Sequence, residues 1–230
     1  MRIAELYLSR QGEGQWAGQP SVFIRASGCN LRCWYCDTPF ASWVPEGEDL
    51  SVEEILAQVE QVADGCRHVV ITGGEPMLFA ELVPLTQRLA DAGWTITIET
   101  AGTLDLPVAC HLMSISPKMS NSTPSAVHDS RWHVRHDRSR HVPAVIQRLT
   151  LDYPFQMKFV IDQPSDLDEM TAYLSSFPHI PRSSIYLMPL GTDPTDLSHR
   201  TSWLSPYCHT HGYHFCPRLQ IEWYGFTRGT

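Results

Sequence analysis

Short apolar runs alternate along this chain with segments of helical period, and this alternation limits the possible folds more than any other feature. Most successive runs are separated by a stretch that can form a helix, as expected for parallel strands joined by helical crossovers. We therefore expect an α/β fold in which about six parallel strands form an open or partial barrel. The strand-like runs are residues 22–25, 68–71, 95–99, 111–116, 156–161, 184–188 and 213–216.

Three helices can be assigned between these runs. Ser51 and Glu54 form a capping box that predicts a helix start, and Gly65 is a suitable terminator for this helix. A second helix should end at Gly93, and a third should span residues 164–174. The apolar positions expected to face the core are Val52, Ile55, Leu56, Val59 and Val62 in the first helix and Leu82, Leu85 and Leu89 in the second.

Length and charge restrict the class of protein. The 230 residues suffice for a full hydrophobic core, and we expect a single domain over residues 1–230. No apolar run reaches the roughly 18 residues of a membrane span, and residues 1–5 do not resemble a signal peptide, so we expect a cytoplasmic location without membrane contact. The net charge of -8 argues against direct nucleic-acid binding and favours a small-molecule substrate.

Three of the seven cysteines lie on one short loop, where Cys29, Cys33 and Cys36 follow the pattern C-x3-C-x2-C. A cubane [4Fe-4S] cluster held by three thiolates leaves one iron free for an external ligand. Structural zinc needs four ligands, although Cys66 or His111 could complete such a site in space. The triplet favours an iron-sulfur cluster over zinc, and its tight spacing suits a reducing compartment better than a disulfide framework.

Polar motifs follow three of the predicted strands. Residues 72–76, Thr-Gly-Gly-Glu-Pro, come at the edge where open α/β sheets bind ligands, and the paired glycines would let a ligand approach the backbone closely. Residues 116–118, Ser-Pro-Lys, offer a hydroxyl, a fixed turn and a cation. Arg25 could hold a carboxylate through two hydrogen bonds. The alternatives are an ordinary turn, a polar loop and a surface charge.

Residues 128–141 are locally basic in an otherwise acidic chain. A solvated surface loop or an exposed helix is the simplest interpretation of this segment. A surface that docks a partner protein is the alternative.

Taken together, these motifs resemble those of a known enzyme family. Residues 28–38, Gly-Cys-Asn-Leu-Arg-Cys-Trp-Tyr-Cys-Asp-Thr, followed by the Thr-Gly-Gly-Glu-Pro motif, are similar to the radical S-adenosylmethionine (SAM) enzymes. Further segments narrow the resemblance to the 7-carboxy-7-deazaguanine synthase family over nearly the whole chain. These segments are residues 11–14, 20–25, 99–103, 116–118 and 217–219.

The resemblance implies a homodimeric partial barrel of the radical SAM type that acts as a lyase. SAM would bind the open iron of the cluster and yield a 5'-deoxyadenosyl radical. That radical would act on 6-carboxy-5,6,7,8-tetrahydropterin, and a magnesium-assisted ring contraction with loss of ammonia would give 7-carboxy-7-deazaguanine. A flavodoxin-like protein would donate the electron, and the product would enter 7-deazapurine biosynthesis, for example that of queuosine.

The resemblance also assigns roles to residues by position. The cluster ligands would be Cys29, Cys33 and Cys36, and Thr38 would offer Mg²⁺ a hard oxygen. SAM would be contacted by Tyr35, Cys36, Asp37, Gly74, Ser116, Pro117 and Lys118. The pterin would be bound by Arg10, Gln11, Gly12, Glu13, Arg25, Thr72 and Gln220.

Two positions depart from the family pattern. Gln220 stands where the family often has histidine, and Met188 stands where a polar residue is more usual. Gln220 can form hydrogen bonds but cannot titrate near neutral pH, which argues against proton transfer there. Two other functions remain open: an activase that generates glycyl radicals on a partner protein, and a non-enzymatic binding module stabilised by zinc.

Overall fold

A single nine-stranded sheet forms the frame of the protein, as seen in a computed structural model that describes all residues 1–230. The strands are β1 (Arg2–Arg10), β2 (Pro20–Ala26), β3 (Glu48–Asp49), β4 (His68–Gly73), β5 (Thr95–Thr100), β6 (Leu112–Ile115), β7 (Phe155–Ile161), β8 (Ile185–Pro189) and β9 (His214–Phe215). Their order in the sheet is β3-β1-β2-β4-β5-β6-β7-β8-β9, and in this order the seven strands from β2 onward run parallel. The open parallel α/β barrel expected from the sequence is confirmed.

Helices connect most of the parallel strands. The Ser51–Glu54 capping box is present: the Ser51 hydroxyl accepts from the Glu54 N–H while the Glu54 carboxylate accepts from the Ser51 N–H. The helices are α1 (Pro39–Ser42), α2 (Val52–Val62), α3 (Leu82–Asp91), α4 (Ser130–Ser139), α5 (Pro143–Asp152), α6 (Asp166–Ser175), α7 (Pro194–His211) and α8 (Leu219–Tyr224). None of them is both long and apolar enough to cross a membrane.

One strand at the start of the chain was not predicted. β1 pairs antiparallel with β2, with a register irregularity between Ile3 and Glu5, and the two-residue β3 pairs antiparallel with β1. These strands extend the sheet beyond its parallel part. β1 also brings Glu5, Tyr7 and Arg10 to the mouth of the cavity described below.

The hydrophobic core lies between the parallel sheet and its helices. It contains 35 buried residues, and the central strands β4 and β5 contribute Val69, Ile71, Ile96 and Ile98 without measurable exposure. Strands that are buried on both faces in this way are typical of parallel sheets. The polar side chains at the carboxyl ends of these strands therefore converge on one edge of a rigid support.

Candidate active site

A cavity of about 820 Å³ opens at the carboxyl edge of the parallel strands. It brings together every site residue expected from the sequence except Pro117, which lies in the adjoining turn without lining the cavity. The expected residues that line it are Arg10, Gln11, Gly12, Glu13, Arg25, Cys29, Cys33, Tyr35, Cys36, Asp37, Thr38, Thr72, Gly74, Ser116, Lys118 and Gln220.

The cysteine loop, residues 27–38, follows directly from the end of β2 and carries the three thiols into the cavity wall. The Trp43 indole N–H donates to the carbonyl of Cys33 at 3.0 Å, which fixes the middle of the loop. Burial raises the pKa of Cys29 and of Cys33 to about 12. Both thiols are therefore protonated near neutral pH, and binding iron must displace their protons.

The thiols suit a cluster better than a single ion. No three His, Cys, Asp or Glu side chains converge on a position that could hold one metal ion. A cubane binds each thiolate through a different iron, so its ligands surround the cluster and do not meet at a point. All seven cysteines are free thiols, as this ligand set requires.

The two residues considered as a fourth zinc ligand lie at the opposite edge of the sheet. Cys66 donates its S–H to the carbonyl of Pro20, the first residue of β2. His111 accepts from the N–H of Ile96, near the start of β5. The suggestion that Cys66 or His111 could complete a zinc site is therefore wrong, because the cysteine loop follows the other end of β2.

The paired glycines of the second motif pack against backbone. A Cβ on Gly73 would come within 2.0 Å of the Ala26 carbonyl oxygen, and one on Gly74 within 2.1 Å of the Gly28 carbonyl oxygen. Both glycines also line the cavity, so the expectation that a ligand approaches their backbone stays a prediction. They allow the β4 turn to lie directly on the cysteine loop.

Glu75, next in the same motif, is fully buried and does not line the cavity. Its carboxylate accepts from the N–H of Met77, the N–H of Ala101 and the hydroxyl of Thr100, at 2.8 to 3.1 Å. Burial nevertheless raises the pKa of this carboxyl. Glu75 thus joins the turns that follow β4 and β5.

A group of charged side chains surrounds Glu13 on the other side of the cavity. Lys158 donates to one Glu13 oxygen at 2.8 Å and Gln220 donates to the other at 2.7 Å, while Arg218 lies 3.6 Å from the carboxylate. Burial alone would raise the pKa of Glu13, but the charges of Lys158 and Arg218 outweigh it and lower the pKa to about 2. Glu13 is therefore an anion at neutral pH.

Glu99 links this group to the end of β4 and to the middle of β7. It accepts from the Gln11 amide at 3.2 Å and from the Thr72 hydroxyl at 2.8 Å, and Lys158 lies 3.5 Å from it. Burial alone would lower the pKa of Lys158, but Glu13 and Glu99 raise it above its usual value. Two carboxylates therefore share one buried ammonium beside the cavity.

Sequence reasoning gave no role to Glu99, Lys158 or Arg218. Lys158 interrupts the apolar run of β7, and a lysine inside a buried strand is a signal that could have identified it. Glu99 is the last residue but one of β5, as Thr72 is of β4, so its position at the carboxyl edge could also have been predicted. Arg218 follows β9 closely, but the sequence analysis used residues 217–219 only as part of the resemblance and gave Arg218 no role.

Arg25 is held in place by the residues of β1. Its Nε donates to Glu5 at 2.7 Å and one terminal nitrogen donates to the Tyr7 hydroxyl at 3.0 Å. The other terminal nitrogen has no partner within the protein. Arg25 lines the cavity with this nitrogen available for an acidic ligand.

The remaining expected residues lie around the cysteine loop. Lys118 donates to the Ser116 hydroxyl at 2.7 Å, and Arg218 forms a short ion pair with Asp37. Thr38 precedes α1, with its hydroxyl 3.5 Å from Asp37. Tyr35 packs against an apolar cluster of Val160, Met188, Leu190 and Cys216, which explains an apolar residue at position 188.

The segment 225–230 lies along the cavity and was not anticipated. Arg228 donates to Glu5 at 2.8 Å and to Glu46 at 2.9 Å, and its guanidinium lies 3.7 Å from the centre of the Phe40 ring. Glu5 therefore holds both Arg25 and Arg228. Through these contacts, α1 and the segment 225–230 form one side of the cavity.

The basic segment forms helix α4 and is not simply a solvated surface element. Its His136 is fully buried, accepts from the N–H of Arg32 at 3.0 Å and bonds to the Ser122 hydroxyl at 2.8 Å. The guanidinium groups of Arg32 and Arg135 both lie on the Trp132 ring. One face of α4 therefore supports the cysteine loop, and the other is exposed.

The chain is similar in sequence to a known enzyme superfamily and to named members of one of its families. Residues 23–119 match the Radical SAM superfamily. A protein of Rhodopirellula baltica named 7-carboxy-7-deazaguanine synthase is 43% identical over 229 residues, which cover 99% of this chain and 88% of that one. A protein of Halobacterium salinarum with the same name is 42% identical over 228 residues, covering 95% and 88%.

The fold has a counterpart among solved structures. The crystal structure of QueE from Escherichia coli matches with a TM-score of 0.69 and 24% identity, covering 94% of this chain and 92% of that chain. Streptococcus suis SuiB bound to S-adenosylmethionine matches with a TM-score of 0.55 and 14% identity, covering 88% and 54%. At these identities the likeness concerns the fold.

Proposed function

Because this chain belongs to the 7-carboxy-7-deazaguanine synthase family of radical SAM enzymes, we propose that its cavity converts 6-carboxy-5,6,7,8-tetrahydropterin to 7-carboxy-7-deazaguanine with release of ammonia. The chain is thus a radical SAM lyase of 7-deazapurine biosynthesis. The observation that carries the proposal is that three free thiols and the polar residues around Glu13 and Arg25 open into one cavity.

Cys29, Cys33 and Cys36 hold the [4Fe-4S] cluster in this proposal, and their number leaves one iron for SAM. When bound, the cluster and SAM supply the one-electron chemistry that yields a 5'-deoxyadenosyl radical. The protein binds and orients the cofactor and excludes water from it. The residues assigned to SAM are Tyr35, Cys36, Asp37, Gly74, Ser116, Pro117 and Lys118.

The opposite side of the cavity is assigned to the pterin. Arg25 has one terminal nitrogen free for the substrate carboxylate, and Glu13, an anion at neutral pH, can accept from ring N–H groups. The buried Gln220 carbonyl oxygen has no partner in the protein and suits a further ring donor. Arg10, Gln11, Gly12 and Thr72 complete this assignment.

Mg²⁺ is assigned to the hydroxyl of Thr38, beside Asp37. Magnesium prefers hard oxygen ligands and keeps several that are not from the protein, so a single protein contact is sufficient. The bound substrate would supply part of the remaining coordination.

The proposal extends to partners and location. We assign the active form to a homodimer, as the family resemblance implies. We place it in the cytoplasm, because a reducing compartment preserves the three thiols and the cluster that they hold. A flavodoxin-like protein supplies the electron. These assignments rest on the resemblance to the family and on the free thiols.

An anaerobic product assay tests the proposed function. Reconstituted protein should carry about four irons per chain, and with 6-carboxytetrahydropterin, SAM, Mg²⁺ and dithionite it should form 7-carboxy-7-deazaguanine. Cys33→Ser should lose both iron and product. The matched change Cys66→Ser, at the opposite edge of the sheet, should keep both.

Two results would contradict the assignment. Formation of 5'-deoxyadenosine and methionine without a deazapurine would favour the glycyl-radical activase. A colourless protein containing one zinc would favour the binding module.

A further inference from the structure

The exposed face of α4 forms a basic and partly apolar surface beside the cysteine loop. We call it the basic face and define it by Arg131, Val134, Arg135 and Arg138, all of them exposed. A groove of about 530 Å³ adjoins it at the start of α4 and is lined by Trp34, Trp43, Thr123, Pro124, Ser125, His128 and Asp129. Trp34 is 55% exposed and offers its ring to this groove.

The positive charge of this face is not balanced within the protein. Arg131, Arg135 and Arg138 form no ion pair with any carboxylate. The acids of the same segment are already engaged, since Asp137 pairs with Arg140 and Asp129 caps the helix by accepting from the Trp132 N–H. Three uncompensated arginines on a chain of net charge -8 create a local field that attracts an acidic partner.

Three hydrogen bonds connect this surface to the cysteine loop. The Arg32 N–H donates to His136 of α4, the Trp34 N–H donates to the Ser122 carbonyl, and the Trp43 indole donates to the carbonyl of the cluster ligand Cys33. The groove therefore lies against the outer side of the loop whose inner side lines the catalytic cavity.

This arrangement suits delivery of an electron from outside. A protein donor cannot enter a cavity of about 820 Å³, whereas the exposed side of the cysteine loop gives it access to the cluster ligands from outside. Resting on the proposed function, we propose that the basic face and the adjoining groove dock an acidic flavodoxin-type electron carrier. One electron leaves the reduced flavin of the carrier and enters the oxidised cluster, and no atom is exchanged.

Two other occupants fit the surface less well. A second copy of this chain docked through the same patch about a twofold axis would place arginines opposite arginines, which is unfavourable. A nucleic acid would meet the -8 charge of the rest of the chain, and three arginines are few for phosphate binding.

The test compares two triple variants that lose equal charge. The first is Arg131→Gln, Arg135→Gln, Arg138→Gln. The control is Arg67→Gln, Arg88→Gln, Arg148→Gln, which removes three exposed arginines from ion pairs elsewhere on the surface. The affinity of purified flavodoxin for the cluster-loaded protein is measured by calorimetry at low and high salt, and turnover is measured with flavodoxin and with dithionite.

We expect the first triple variant to weaken flavodoxin binding about tenfold at low salt, with a much smaller difference at high salt. Turnover with flavodoxin should fall in parallel, while turnover with dithionite stays within about twofold of wild type. The control triple variant should bind flavodoxin like the wild type. If the first triple variant does not fold, a double variant takes its place and is judged by the same criteria. This double variant combines Arg131→Gln with Arg138→Gln and keeps Arg135 on the Trp132 ring.

Several outcomes would overturn the proposal. Unchanged flavodoxin affinity in the first triple variant would exclude the basic face as the docking site. An equal loss of affinity in both triple variants would show that the effect comes from the net charge of the protein and not from this face. Loss of self-association without loss of flavodoxin affinity would assign the face to a second copy. A wild type that forms no product with dithionite would refute the proposed function instead, and the calorimetric result would still decide the docking face.

Discussion

Glu13 shows how single residues set the electrostatics of the cavity. Three side chains from different parts of the chain converge on its carboxylate: Lys158 from β7, and Arg218 and Gln220 from near α8. A buried ion pair adds little stability by itself, but removing one partner leaves an uncompensated buried charge. We therefore expect the pair to be sensitive to changes on either side.

Lys158→Gln should lower the free energy of unfolding by about 3 kcal/mol, because it leaves Glu13 and Glu99 facing each other without their ammonium. The pKa of Glu13 should rise from its low value for the same reason. Urea unfolding of the iron-free protein at pH 7 measures the first effect.

Two comparisons make this result specific. Arg67→Gln breaks the exposed ion pair with Glu60 and should cost less than about 1 kcal/mol. Glu13→Gln combined with Lys158→Gln should recover part of the stability, because Glu99 then no longer faces a second unpaired carboxylate. Equal costs for Lys158→Gln and Arg67→Gln would contradict the importance given to the buried pair.

At the level of elements, the strands and helices that could be predicted from the sequence are those set by a local apolar pattern or by a capping motif. The strands of the central sheet are continuous apolar runs, and α2 carries its capping box in four adjacent residues, so both were predictable. β1 was missed because it is only half buried and its pairing with β2 is not encoded locally. α7 was missed because Pro206 lies inside it, and proline usually ends a helix.

Contact between the β4 turn and the cysteine loop gives an element-scale prediction. In Gly74→Ala the new methyl group would meet the Gly28 carbonyl at 2.1 Å and the Ala41 carbonyl at 2.4 Å, and backbone cannot move aside without displacing the loop. We expect the variant to retain less than about half of the wild-type iron after reconstitution, because the thiols lose their arrangement. Iron analysis and visible absorbance measure the loss.

Gly93→Ala is the matched control for this change. Gly93 has a positive φ of 81° and open space around its Cβ position, so alanine there costs backbone strain of about 1 kcal/mol without a clash. Its thermal midpoint should fall slightly while its iron content stays at the wild-type value. Full iron content in Gly74→Ala would show that the loop tolerates displacement.

Across the whole molecule, two buried histidines connect stability to pH. His68 lies between the hydroxyls of Ser21 and Thr97, and His136 joins α4 to the cysteine loop. Burial lowers the pKa of each to about 4, from an ordinary value of 6.5. Between these values the unfolded chain takes up protons that the folded protein does not, so acid favours unfolding.

The free energy of unfolding should therefore rise with pH between about 4 and 6.5 and level off above that range. Urea unfolding of the iron-free protein at pH 5.0, 6.0 and 7.0 measures the slope. His68→Asn combined with His136→Asn should flatten it, even though the double variant is less stable overall. A wild-type protein whose stability does not change across this range would contradict the account.

At the same scale, the candidate site was predictable where it consists of contiguous motifs at strand ends. Arg25, Thr72 and Ser116 follow or end parallel strands, so their convergence follows from the direction of the sheet. The contacts of Arg218 with Asp37 and of Arg228 with Glu5 join positions more than 180 residues apart. No local pattern encodes such pairs, and they emerge only once the chain has closed around the sheet.

The close contact of Gly73 and Gly74 with the cysteine loop has a consequence for protein engineering. The Gly74 N–H donates to the Ala26 carbonyl at 3.0 Å and the Glu75 N–H donates to the Gly28 carbonyl at 2.8 Å, so the two motifs share one hydrogen-bonded surface. Transplanting the triple-cysteine peptide alone into another scaffold would leave those acceptors exposed and the thiols unsupported. A transferable module has to contain both peptides, together with the two adjacent parallel strands that carry them.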